Sequence, residues 1–255
     1  MNGCPSTYNK IGFLPSSTLK IIACVLMAID HIGFFIFPGI IIFRIIGRLA
    51  FPLFAFFIAE GCKYSKNKSR RLEMIAAIGG FFVLFYYIYE GELYGNVFLT
   101  FSLSIALIYL LQALKKWTFA QFKAYKLILS ALAFGAALAA IYVFSRFVHF
   151  EYGYRGMLVP VFVSLFDTKD VNAPNILKKL DCHITKLICF TLGLLLLCIN
   201  ANFGLYQYYC LISVLLVAFY NGQPGNKKFK YAFYIFYPAH IVVLQGIAIL
   251  ISLIE

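Results

Sequence analysis

The stretch from Leu19 to Gly61 sets Asp30, His31, Arg44, Arg48 and Glu60 into almost unbroken apolar sequence. Holding an ionisable side chain at the centre of a bilayer costs about 3 kcal/mol or more. A chain that keeps such groups close together uses them. A histidine at mid-depth beside a carboxylate suits general-base work. Arg44 and Arg48 are four residues apart, about 40° around a helix, and so share one face. Arginine keeps its charge and offers planar donors to a carboxylate or phosphate. Two readings stand for this cationic strip. It pairs with Asp30, Glu60 or Glu151 to hold a bundle together, or it clamps an anionic substrate or a developing oxyanion.

Adjacent residues lie about 100° apart on a helix, so Asp30 need not orient His31; pairing with Arg44 or Arg48 is the alternative. A second histidine, His240, follows Tyr231 by nine residues, about 14 Å along a helix, which gives it a depth similar to that of His31. Tyr237 and Pro238 precede it, and the proline predicts a locally broken helix lining a cavity. Lys20 precedes His31 by eleven residues, almost three full turns, so the two share a face. That aligns a surface cation with a mid-depth base. It suits a long substrate with phosphates outside and a reactive end inside, or it makes Lys20 a simple flanking charge.

These residues need helices to position them. The chain of 255 residues is 62% hydrophobic, 18% aromatic and 13% charged, with a mean hydropathy of +0.86. Soluble domains carry about 25% charged residues. Runs of about 20 apolar residues recur, each long enough to cross a hydrocarbon core, whereas the alternating segments of a β-barrel are missing. The expectation is an all-α, polytopic membrane bundle of about nine transmembrane segments: a polar leader over 1–18 and a single transmembrane domain over 19–255. The spans fall at about 19–37, 40–62, 72–89, 97–114, 127–144, 157–166, 187–200, 205–220 and 231–253, with Pro52 kinking the second. The run 157–166 is too short to cross unaided, and is re-entrant, broken, or extended by the segment before it.

The net charge of +12 sits in short loops between spans. It therefore reads as an orientation signal rather than as a nucleic-acid surface. Placing KYSKNKSRR in the cytoplasm puts every lysine on that side, while Glu90, Glu92, Glu151 and Glu255 fall opposite. This predicts a cell-membrane protein with a cytoplasmic N-terminus and an extracytoplasmic C-terminus. Seven cysteines, without metal-ligand spacing and mostly inside apolar runs, read as small buried residues. No metal is expected. Asn96 reads as a helix cap, and Tyr220-Asn221-Gly222 as a helix end and turn.

LKIIACVLMAIDHIG, RIIGRLAFPLFAFFIAEGC, NVFLTFSL, the tyrosine-glycine run at 152–156, FYNGQPG and KYAFYIFYPAHI resemble the TraX family, in family order over residues 19–250. The resemblance implies a role in N-terminal acetylation of pilin. TraX proteins are in turn distantly similar to the acyltransferase-3 membrane proteins, whose Arg/Lys-x10-His motif has the spacing of Lys20 to His31. That likeness implies a basic residue on a coenzyme A phosphate and a catalytic histidine.

Together these readings predict an integral-membrane acyltransferase that uses acetyl-CoA. Lys20, with Lys63, Lys227 and Lys228, would hold the coenzyme's phosphates. His31, Asp30 and His240 would do the acid–base work. Arg44, Arg48, Glu60, Glu151, Arg155 and Tyr237 would place the acceptor, which is a pilin, an envelope glycan or a lipid. The alternative is a proton-coupled transporter or permease, although the repeated halves common in transporters are missing. A non-catalytic assembly partner is the third reading.

Overall fold

The computed structural model describes residues 12–91, 93–121, 123–199, 204–223 and 232–253. They are helical almost throughout. The helices are α1 (Ser16–Phe35), α2 (Ile41–Gly47), α3 (Ala50–Tyr64), α4 (Lys68–Glu90), α5 (Val97–Ala120), α6 (Ala124–Phe147), α7 (Gly153–Val163), α8 (Asn175–Leu180), α9 (His183–Cys198), α10 (Ser213–Ala218) and α11 (Ala232–Ser252), with a 3-10 helix over Leu205–Ile212. Among the described residues, six segments are long and apolar enough to cross a membrane: Ser16–Phe35, Ile41–Tyr64, Lys68–Ile88, Val97–Ala120, Ala124–Phe147 and Ile235–Ser252. His183–Cys198 and Leu205–Ala218 are shorter apolar helices. The chain is a helical membrane bundle. In α6 the most apolar window has a mean hydropathy of 2.3, yet only 6% of it is buried by protein. An apolar helix left uncovered in this way is matched to lipid.

Contacts divide the chain into two compact units, Met1–Phe57 with Cys198–Glu255, and Ile58–Leu197. In the first, α1 packs on α2 and α11. Glycines let α1 and α2 approach closely. A Cβ on Gly33 would sit 2.4 Å from the Phe43 Cβ, and one on Gly47 would sit 2.2 Å from the Asp30 Cβ. The span expected over 40–62 is two helices, interrupted after Gly47. Pro52 lies four residues beyond Arg48. It lacks the N–H that the Arg48 carbonyl would accept, and its ring crowds that carbonyl, so the break falls at Arg48–Leu49 rather than as a kink at the proline. The start of α1 is tied to the chain after α10. Leu14 donates its N–H to the Phe219 carbonyl (3.0 Å) and accepts from Asn221 N–H (3.0 Å), and Ser16 N–H donates to the Gln223 carbonyl (2.8 Å). Gly222, at φ 77°, makes the turn expected there.

Two further expectations in this unit are corrected. Pro238 does not break α11, which runs continuously from Ala232 to Ser252. A single missing N–H costs one backbone bond, which a membrane helix tolerates. The segment 205–220 is not one α-helix: it opens as a 3-10 helix, turns α-helical at Ser213 and ends at Ala218.

In the second unit α5 contacts α4, α6 and α7. Asn96 caps α5 as expected. Its Oδ1 accepts from Phe98 N–H (2.9 Å) and Leu99 N–H (3.1 Å), while its Nδ2 donates to the Gly79 carbonyl of α4 (2.9 Å). Ser104 Oγ donates to the Met157 carbonyl (2.8 Å), which fastens α5 to α7. The run expected at 157–166 forms α7, an 11-residue helix, roughly 16 Å long. Tyr94–Gly95 and His149–Phe150 pair as a two-residue parallel ladder, a feature too short to show as a strand pattern. Five cysteines, Cys24, Cys62, Cys189, Cys198 and Cys210, are buried, as their apolar surroundings predict.

Candidate functional site

Helix α1 carries Asp30 and His31 in its second half, and they face different partners. Asp30 receives both arginines of the next helix. Arg44 Nη1 lies 2.9 Å from Oδ2, and Arg48 Nη2 lies 3.2 Å from Oδ1. Arg48 Nε also donates to the Arg44 carbonyl (3.3 Å), which accepts the Arg48 backbone N–H as well (3.2 Å). The absent side chain of Gly47 creates the space that Asp30 fills. One carboxylate faces two guanidiniums, so the trio retains a positive charge. Arg48 is buried, while the Arg44 side chain keeps 33% of its surface and lies over the Phe34 ring at 5.2 Å. The pairing reading of the strip is thus met at Asp30, and one positive charge is left over.

His31 is oriented by groups other than Asp30. Its Nδ1 lies 2.9 Å from the Met27 carbonyl and 3.0 Å from His240 Nε2. His240 Nδ1 lies 2.8 Å from the Phe236 carbonyl. Carbonyls only accept, so in the neutral pair each Nδ1 carries the hydrogen. His240 Nε2 then accepts from His31 Nδ1–H, which is shared with Met27. This tautomer follows from the hydrogen-bond network, since hydrogens are inferred from partners. It leaves His31 Nε2 as a lone pair without a protein donor among the described residues. A proton arriving there converts His31 to imidazolium without breaking any of the three contacts. The rings are further held by packing. Phe236 stacks on His240 at 4.8 Å, and Tyr237, which is buried, meets it edge-on at 5.7 Å.

Lys20 lies on the same uninterrupted helix, with its amine 5.3 Å from the centre of the Phe57 ring. The eleven-residue separation from His31 thus keeps the face and the roughly 16 Å rise that the sequence predicts. Lys227 and Lys228 lie outside the described residues.

Glu60 and Lys63 belong to a different cluster, in the second unit. Lys63 pairs with Asp181 (2.5 Å) and Asp167 (3.4 Å). Lys186 pairs with Asp167 (2.9 Å) and with Glu60. Glu60, Lys63, Asp167 and Lys186 are all buried. Lys115 Nζ donates to the Leu165 (2.6 Å) and Asp167 (3.0 Å) carbonyls, which satisfies chain beyond the end of α7. Asp167, Asp181, Lys186 and Lys115 were not among the residues singled out from sequence. The signal for Asp167 and Asp181 was a carboxylate at the edge of an apolar run, on a side otherwise rich in lysine. Glu151 follows the small ladder, with its N–H on the Gly95 carbonyl (2.9 Å). Arg155 is half-buried on α7.

Comparison with known proteins adds the family. Residues 16–248 match the TraX protein family model. The chain belongs to the TraX family. This TraX chain is 28% identical over 251 residues to a protein of Dichelobacter nodosus named probable fimbrial assembly protein FimC, serogroup H1, covering 89% of this chain and 92% of that one. It is also 48% identical over 52 residues to an uncharacterized protein of Rickettsia prowazekii, a match that spans 20% of this chain and 21% of the relative. No solved structure matches. The likeness to acyltransferase-3 proteins is not borne out by these matches.

Proposed function

We propose that this TraX chain is a membrane acyltransferase that moves an acetyl group from acetyl-CoA to a pilin or another envelope acceptor. The observation that carries the proposal is the uncommitted Nε2 of His31, held by a backbone carbonyl and a second histidine inside membrane helices. In the reaction the acceptor amine or hydroxyl attacks the thioester carbon. Its proton passes to His31 Nε2, the carbon–sulfur bond breaks, and the coenzyme A thiolate takes that proton from the imidazolium. The histidine pair is built for this exchange, because gaining and losing the proton at Nε2 leaves Met27, His240 and Phe236 in place. The charge left over on Arg44 and Arg48 is suited to the oxyanion of the tetrahedral intermediate or to an anionic acceptor. Lys20, on the face of His31, is suited to the coenzyme's phosphates. The fimbrial name of the Dichelobacter relative supports a pilin-related acceptor.

Purified protein in detergent tests the reading through acetyl-CoA binding and thioester hydrolysis. His31→Ala is expected to keep binding and lose turnover, and Lys20→Ala to weaken binding. Absence of acyl-CoA affinity, together with solute counterflow in liposomes, would identify a transporter instead.

A further inference from the structure

The second unit contains a cleft of about 490 Å³ whose lining includes Lys63, Lys68, Lys115, Lys116 and Lys169. These lysines come from the end of α3, the start of α4, the end of α5 and the chain after α7, so the fold gathers them from four places. The acidic lining residues are Asp167 and Asp170. Asp167 already faces Lys63 and Lys186, and Asp170 Oδ1 accepts the Asn172 N–H at 2.9 Å. With Asp181, which pairs with Lys63 at 2.5 Å, five cations against three carboxylates leave the cleft with a charge of +2. The lysines also divide by depth. Lys63 and Lys115 are held in the floor by Asp181 and by carbonyls. Lys68, Lys116 and Lys169 are exposed at the rim. Lys68 lies over the Tyr109 ring at 5.3 Å, and Lys169 over the Tyr64 ring at 4.7 Å, so aromatic faces position two of these amines.

Lysines that only flank membrane spans spread apart in water. Lysines gathered around one concavity repel one another unless an anion joins them. We propose that this cleft binds the phosphate groups of a ligand, with Lys68, Lys116 and Lys169 as its contacts. Lysine serves phosphate as a mobile point charge, and a volume of this size is that of a small-molecule pocket. The phosphates come either from a soluble nucleotide-type molecule or from anionic lipid headgroups. The inference does not rest on acyl transfer: loss of turnover in His31→Ala leaves this site standing, and loss of this site leaves the histidine pair intact.

The test uses the full chain in neutral detergent, with adenosine 3′,5′-bisphosphate as the soluble probe and phosphatidylglycerol as the lipid probe. The variants are Lys68→Gln/Lys116→Gln/Lys169→Gln and the matching triple arginine change. For a soluble ligand, bisphosphate binding weakens at least tenfold in the glutamine variant and returns in the arginine one. For a lipid source, the wild type retains phosphatidylglycerol over phosphatidylcholine in native mass spectrometry, the glutamine variant does not, and bisphosphate fails to bind. Amine-labelling footprints on the wild type give a reading independent of variant folding: the bound probe slows modification of Lys68, Lys116 and Lys169 at least threefold. Equal binding of both probes by wild type and glutamine variant, or no protection of these lysines by either probe, would overturn the proposal.

Discussion

Asp30 joins α1 to α2 by charge as well as by shape, and a double-mutant cycle measures how much each arginine depends on it. Asp30→Asn keeps the side chain's size and removes the charge between two guanidiniums. At 3.2 Å and an effective dielectric near 20, the attraction of Arg48 alone is about 5 kcal/mol before desolvation. Desolvation and relaxation leave couplings between contacting charges of about 0.5–3 kcal/mol. The side chains of Arg48 and Asp30 are 9% and 14% exposed, which places this pair in the upper half of that range, at about 2 kcal/mol. Arg44 is 33% exposed, so solvent screens its pair to about 1 kcal/mol or less. The assay is reversible unfolding in mixed micelles at rising dodecyl sulfate fraction, followed by circular dichroism. It compares wild type, Asp30→Asn, Arg48→Gln, Arg44→Gln and the two doubles. A coupling below about 0.5 kcal/mol for Arg48, or a larger coupling for Arg44 than for Arg48, would refute the assignment of Arg48 as the buried partner.

Other outcomes follow from the same contacts. Gly47→Ala drives a Cβ into Asp30 and should destabilise by about 1–3 kcal/mol in the same unfolding assay, while Gly39→Ala, which meets nothing within 4 Å, should be near neutral. Lys186→Met strips the cation from buried Glu60 and Asp167 and should cost about 3–5 kcal/mol, read as loss of the monodisperse peak in gel filtration. Burial works upward on the Cys182 thiol, but hydrogen bonds from Thr185 and the first amides of α9 outweigh it and hold the thiol below its ordinary range. Among the described cysteines, which are otherwise buried, Cys182 should thus be alkylated fastest by a maleimide. Its rate should level off at a lower pH than that of a free cysteine; faster labelling of Cys24 or Cys210 would contradict this.

Much of this architecture was legible because a bilayer imposes one rule, that apolar length makes a helix. The position of Asn96 and the helical phase shared by Lys20 and His31 were readable for the same reason, since both depend on local geometry. The Asp30 pairing was one of two open alternatives, and Gly47 settles it: a glycine at that position leaves room for the carboxylate, which no periodicity reveals. The break at Arg48–Leu49 was misplaced because a proline disturbs the turn before it rather than its own position. Pro238 was over-read, since α11 loses one backbone bond and keeps its course. The cluster stayed hidden because its two halves, Glu60 with Lys63 and Asp167 with Asp181 and Lys186, lie more than a hundred residues apart. In a lysine-rich loop a buried, paired lysine looks the same as a solvated one.

Acyl transfer, as proposed, turns on proton movement through His31. Its most direct test is mass spectrometry of acetylated acceptors in membrane vesicles supplied with isotopically labelled acetyl-CoA, with wild-type and His31→Ala protein present at equal, correctly folded levels. Labelled acetyl groups are expected on a pilin or envelope component with the wild type, and at least a hundredfold fewer with His31→Ala. Label transferred equally by both proteins would contradict it.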